Sequence, residues 1–251
     1  MNRRELFGFL EEKIPSSLRE EWDNDGVMCA KNMDRAVLRV LCVLDVTDEV
    51  VDYAKKGGFD LILSHHPLVF SPLSSVTEDG AVARRVIALL DADIAVFSFH
   101  TRLDAVDGGI NDALANMLGL QDVKRLSCDS AIGRIGVLPS PLSFSDFCER
   151  VKQALGTTAL CTRFVKDEVK TVALVGGEGK DFLPSAIEKG ADAYLAGRIG
   201  YHAMIDSPIN AVEAGHYFSE RHSALLLNEY VKEIDETVFC EIYTPNPLKI
   251  S

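Results

Sequence analysis

The chain has 251 residues, enough to bury a substantial core as one large domain or two small lobes. It is 47% hydrophobic and 25% charged, a globular composition, and its formal charge of −12 with no Lys/Arg cluster disfavours nonspecific nucleic-acid binding, so no nucleic-acid partner is expected. No apolar run approaches the ~18–20 residues of a membrane span, and the apolar stretch near Met1 is too short for a signal peptide, so a cytoplasmic protein with no membrane partner is expected.

Leu6, Leu10 and Ile14 recur at helical spacing and predict an amphipathic helix over 3–14, ended near Pro15. Residues 22–26, Trp-Asp-Asn-Asp-Gly, read as a turn. A strand over 36–44 is followed by a helix over 48–56, stopped by Gly57 and Gly58. A short buried strand over 60–63 then runs into Ser64, His65, His66 and Pro67. A helix over 81–90, a strand over 94–99, a loop over 100–107 and a helix over 108–118 with Asp107 as N-cap follow. Glycines, serines and prolines over 127–141 mark passage to a second lobe. It opens with a helix over 144–155 and strands over 160–164 and 171–175. An apolar stretch over 209–212, a helix over 217–230 and a last strand over 237–243, rejoining the first lobe, close the chain. The six cysteines never form a C-x-x-C pair and are expected to be reduced.

An internal echo runs through this order. In the first copy Asp45 follows an apolar strand, and a helix leads through Lys-Gly-Gly-Phe-Asp (56–60) into Leu-Ile-Leu-Ser-His-His (61–66). In the second, Gly176 follows an apolar strand, and a helix leads through Lys-Gly-Ala-Asp (189–192) into Ala-Tyr-Leu-Ala-Gly-Arg (193–198). The expected fold is α/β: two intertwined lobes with duplicated βαβ units and mostly parallel sheets flanked by helices. Residues 1–126 with 205–251 form the metal-binding lobe, and 127–204 form the second.

Three places carry candidate chemistry, each just past a strand end, where ligands collect in open α/β sheets. His65 and His66 are extended neighbours expected to point apart, each serving a different ion of a pair. Asp104 follows the strand over 94–99, with His100 a ligand or a partner that orients a carboxylate. His216 and Glu220 stand one helical turn apart behind Gly215. Each has a plainer alternative: histidines bonded to backbone, an aspartate turn former, a glutamate favoured by a helix N-terminus. Together, five nitrogen and oxygen ligands suit two divalent ions, and the lack of thiolates points to Zn, Mn or Fe.

The motifs at 22–26, 44–47 (Leu-Asp-Val-Thr), 64–68 (Ser-His-His-Pro-Leu), 100–104 (His-Thr-Arg-Leu-Asp), 108–112 (Gly-Gly-Ile-Asn-Asp) and 215–220 (Gly-His-Tyr-Phe-Ser-Glu) stand in the order of one family. Across nearly its whole length the chain resembles the Nif-three-like dinuclear metal-centre family, the GTP cyclohydrolase 1 type 2 homologues. The resemblance implies the ligands His65, His66, Asp104, His216 and Glu220, two lobes of related topology and a toroidal hexamer. It also implies metal-dependent hydrolysis resembling the ring opening of a purine nucleotide such as GTP with loss of formate. His100 and His202 would then move protons, and Arg102 and Arg198 would contact phosphate. Arg102 departs from the family's usual Asn, and Ala-Gly-Arg (196–198) from its usual Thr-Gly-Asp. The rival readings are a divalent-metal storage or delivery protein without turnover and a ring-shaped regulatory scaffold.

Overall fold

The structure is a computed structural model that describes residues 1–246 and 248. The chain begins with α1 (Arg3–Lys13), β1 (Gly26–Cys29), β2 (Arg39–Val43), α2 (Asp48–Gly57), β3 (Leu61–Ser64), α3 (Ala81–Asp91), β4 (Ala95–Ser98) and α4 (Thr101–Ala105). It continues with α5 (Ile110–Met117), β5 (Gln121–Arg125), β6 (Arg134–Ser143), α6 (Phe144–Leu155), β7 (Cys161–Arg163), β8 (Glu168–Glu178) and α7 (Leu183–Glu188). Then come β9 (Ala193–Arg198), α8 (Tyr201–Ile205), β10 (Asn210–Glu213), α9 (His216–Glu220), α10 (Ser223–Ile234) and β11 (Phe239–Ile242).

Two compact units result, one holding Met1–Leu103 and the chain from Ser223 through β11, the other holding Asp104–His222. The boundaries differ from those expected at 126/127 and 204/205, for two reasons. Leu114, Ala115 and Leu118 of the α5 segment bury against Leu138, Val172 and Leu174 of the second unit, and β10 extends that unit's sheet through β9. Both segments therefore belong with the second core.

The first unit's sheet has the order β1-β4-β3-β2-β11, parallel except where β1 meets β4. β3 and β4 are buried at every position, which is why they read as unbroken apolar runs rather than alternating ones. Leu41, Val43, Ile62 and Val96 pack with Val50, Val51 and Ala54 of α2 and Leu89 of α3. Each such aliphatic side chain contributes about 1.5–3 kcal/mol when fully buried. Asn2 and Glu5 form a capping box on α1, and Thr47 caps α2 through the Val50 amide.

The second unit's sheet has the order β5-β6-β8-β9-β10-β7. It is mixed rather than mostly parallel: β8–β9 and β9–β10 are parallel, while β5–β6, β6–β8 and β10–β7 are antiparallel. Residues expected as a linker over 127–141 include the start of β6, whose register with β8 breaks between Val137 and Leu142, around Pro139 and Pro141. Asp107 does not cap α5; Gly109 holds that position, and Asp112 accepts from the Gly108 amide instead.

The internal repeat is physical. Asp60 accepts from the Leu38 and Arg39 amides and Asp192 from the Lys170 and Thr171 amides, so each copy ties the start of one parallel strand to the next by the same carboxylate. The echo also runs one strand further than the sequence indicates. The Ala95 amide donates to Asp60 O in one copy and the Asn210 amide to Asp192 O in the other. β4 thus matches β10, and α4 matches α9 as a five-residue helix beyond the third strand.

Candidate metal centre

In the first unit the chain bends as it leaves β3. The His65 and His66 amides still donate to Val43 O and Leu44 O, but the bend undoes the alternation of a straight strand. The two rings lie 4.9 Å apart, correcting the expectation that they point apart, and His100 lies 5.2 Å from His65 and 5.7 Å from His66. One ring nitrogen from each of the three lies within 4.8 Å of the others. Each Nδ1 is held from behind: His65 donates to Phe99 O at 3.0 Å, His66 meets Asp45 Oδ1 at 2.7 Å, and His100 meets Asp23 Oδ1 at 2.8 Å. Such contacts set the proton on Nδ1 and the lone pair on Nε2, the arrangement that surrounds histidine metal ligands.

Asp23 does more than orient His100. Its second oxygen accepts from the Thr101 amide at 3.1 Å and hydroxyl at 2.7 Å, holding the start of α4. Burial pushes its carboxyl up, but the hydrogen bonds from His100 and Thr101 outweigh burial and bring it down to about 2. Next to it, burial raises Asp25, with the Arg102 charge opposing.

Arg102 is not the exposed anion contact expected from the sequence. It is 1% exposed. Its Nε donates to Asp25 at 2.8 Å, its Nη1 to Glu11 at 2.5 Å and to Ile14 O at 3.0 Å, and its guanidinium lies 4.6 Å from the Phe99 ring centroid. Its Nε, its Nη1 and the side facing Phe99 are committed to the first unit's own interior, so it is a structural cation.

The second unit brings together the acidic candidates. Gly215, at φ 90°, turns the chain from β10 into α9, which sets His216 Nε2 2.8 Å from Glu220 Oε2. Carboxylate oxygens of Asp104 and Glu220 lie within 4.8 Å of each other, and both residues are buried. Asn111 links this pair to the sheet, donating to Asp104 O at 3.0 Å and accepting from the Gly176 amide at 2.8 Å. At Gly177, with φ 64°, a Cβ would stand 2.1 Å from Glu220 Oε1, so only glycine lets β8 pass behind that carboxylate.

These donors are imidazoles and carboxylates, a set suited to divalent cations of borderline hardness, and two buried carboxylates at this separation favour a cation between them. His202 and Arg198 fall elsewhere in the second unit, on the wall of an open hollow with Glu178 and Lys180. Sequence reasoning gave no role to Asp23, Asp25, Asp45 or Asn111, although all four stand inside the quoted motifs. The signal was an acid or amide next to a candidate ligand strand. It was lost because such residues are ordinary turn formers.

A sequence profile described as Duf34/NIF3 (NGG1p interacting factor 3) matches residues 1–247. The chain belongs to the NIF3 family. Among its relatives is a GTP cyclohydrolase 1 type 2 homolog of Clostridium perfringens, 33% identical over 244 residues, covering 93% of this chain and 92% of the relative. A protein of the same name from Methanocaldococcus jannaschii is 32% identical over 226 residues, covering 88% and 90%. The crystal structure of a Bacillus cereus protein related to NIF3 matches with TM-score 0.90 at 24% identity over 100% of this chain and 99% of that one, a likeness of fold alone. Reduced HcgD from Methanocaldococcus jannaschii matches with TM-score 0.84 at 28% identity over 96% and 97%. No helix among the described residues of this NIF3 protein is long and apolar enough to cross a membrane.

Proposed function

We propose that this NIF3-family protein is a dinuclear metal-dependent hydrolase acting in the cytoplasm as a homohexamer. His65, His66, Asp104, His216 and Glu220 hold two divalent cations, Zn, Mn or Fe. The observation that carries the reading is the set of back-anchored imidazoles at His65, His66 and His100. The acid cluster of the second unit and the name its relatives carry support it.

When bound, such ions polarise a substrate oxygen and bring the pKa of water toward neutrality. The chain's own residues then do the rest. Asp45 orients His66, and Phe99 O orients His65, so both present Nε2 without rotamer search. Asp23 stays ionised and holds His100 so that its outer nitrogen can take up or return a proton. Gly177 leaves the room that Glu220 occupies. The substrate class is a purine nucleotide such as GTP, opened at the imidazole ring with release of formate.

Elemental analysis of gently purified protein tests the centre. About two divalent ions per chain are expected, falling sharply in His65→Ala and Glu220→Ala. Absence of metal together with failure to bind added Zn or Mn overturns the reading. Metal bound without formate from GTP removes the hydrolase and leaves a metal-handling protein.

A further inference from the structure

β8, β9 and β10 run parallel, so their carboxyl ends share one edge of the second sheet. Ligands collect outside such ends. The β10 end carries His216 and Glu220. The β8 and β9 ends carry a hollow of about 410 Å³ whose wall includes Glu178, Lys180, Arg198, Gly200, Tyr201 and His202. That volume lies in the range of ~300–1,000 Å³ usual for small-molecule sites.

The backbone builds this hollow. The Gly179 amide donates to Arg198 O at 2.8 Å, tying the Lys180 loop to the end of β9 and bringing two cations to one wall. The Ile199 and Gly200 amides both donate to Glu213 Oε2, at 2.7 and 3.0 Å, which fixes the chain beyond Arg198. Tyr201 and His202 open α8 at the rim with rings 5.4 Å apart, edge to face, and Tyr201 is 74% exposed. Arg198 approaches Glu178 only to 3.9 Å, and both side chains are exposed. An ion pair of that kind contributes little, so the guanidinium is available to a better partner. In a chain of formal charge −12, Lys180 and Arg198 stand together on this wall, while the Glu213 carboxylate is taken up by the Ile199 and Gly200 amides behind it.

We propose that this hollow is a phosphate-binding subsite. Lys180 and Arg198 take the oxygens of a phosphate or polyphosphate group, and the exposed Tyr201 ring lies against the organic group attached to it. Its place beside the acidic ligands follows from the chain. Glu178 directly succeeds Gly177, the residue whose Cβ would strike Glu220. The proposal rests on the hydrolase reading only for the identity of the substrate. It assigns that substrate an anionic end at β8 and β9 and a reacting end toward Glu220.

Calorimetry on the full-length protein, with wild type and variants matched for metal content, uses three probes: tripolyphosphate, GTP and guanosine. Tripolyphosphate and GTP should bind wild type, and Lys180→Ala combined with Arg198→Ala should weaken both by about tenfold to a hundredfold, the span for charged hydrogen bonds. Guanosine affinity should not move between the two proteins. Tyr201→Ala should weaken GTP alone; if it changes neither ligand, the subsite belongs to free polyphosphate rather than a nucleotide. All three side chains are exposed, and unchanged circular dichroism checks that the variants fold. Failure of tripolyphosphate to bind, or equal affinity in wild type and the double variant, overturns the subsite. Phosphate binding that depends on Lys180 and Arg198 without any formate release keeps the subsite and removes only the hydrolase reading.

Discussion

The two copies of the repeat solve one problem differently: how to hold a five-residue helix, too short to be stable alone, beyond the third strand. In the first copy α4 is clamped by charge. Asp23 takes the Thr101 amide and hydroxyl, and Asp25 takes the His100 amide and the Arg102 guanidinium. In the second copy α9 is seated on bare backbone. A Cβ at Gly197 would stand 2.5 Å from Ser219 Oγ and 2.6 Å from Gly177 O, and Ser219 Oγ accepts from the Gly177 amide at 3.0 Å. Gly197 is the counterpart of His65. The copy that displays imidazoles at its second strand end must secure its helix from outside, with residues of the 22–26 turn. The copy with glycine at that position lets the helix sit directly on the strand, and this helix carries His216 and Glu220.

The clamp breaks most severely at Arg102. Arg102→Ala leaves Asp25, buried, without its main cation, and loss of one partner from such a pair costs about 3–5 kcal/mol. Urea unfolding of the variant should show that loss in the midpoint. A change under about 1 kcal/mol, the size expected of a surface arginine, would mean that Arg102 is free to contact an anion.

Asp23 sharpens the same contrast through pH. Its folded carboxyl titrates near 2, below the ordinary 3.8, so its contribution is complete above about pH 4 and is lost as pH falls toward 2. The difference corresponds to about 2 kcal/mol. Thermal melts between pH 5 and pH 2 should fall more steeply for wild type than for Asp23→Asn, which lacks the titrating group. Parallel curves would show that Asp23 does not clamp α4.

How much of this was legible follows from the physics of each signal. Helical periodicity predicted α1, α2 and α6 within a residue or two, and the continuous apolar runs predicted β3 and β4, because burial dictates composition directly. The candidate ligand residues stand out in sequence as polar groups stranded at the ends of apolar strands. β1 is not legible because a four-residue edge strand with an irregular register has too few positions to show a period. α4 reads as a loop in sequence because its stability comes from Asp23 and Asp25, some 77 residues away along the chain. Arg102 was misplaced because arginines are rarely buried, and only the convergence of Glu11, Asp25 and Phe99 around it makes burial tolerable. The helix expected over 217–230 is broken between α9 and α10, with Arg221 closing the first.

The smallest effect concerns what the two copies still share. Asp60 Oδ2 accepts from the Leu38 and Arg39 amides at 2.9 and 3.0 Å, and Asp192 Oδ2 from the Lys170 and Thr171 amides at 2.9 and 2.7 Å. Asparagine keeps an accepting oxygen in each place but removes the charge, so Asp60→Asn and Asp192→Asn should each cost about 1 kcal/mol, the gap between charge-assisted and neutral hydrogen bonds. The flanking cations differ: Arg35 reaches Asp60 Oδ1 at 3.2 Å, and Lys166 pairs with Asp192. Both cations are substantially exposed and contribute little, so the two losses should match to within a few tenths of a kcal/mol. Paired urea titrations of the two variants measure this. Equal losses would mean that the carboxylate-to-amide tie is the working part of the repeat. A loss confined to one copy would reduce the other to a shared sequence whose mechanical role has lapsed.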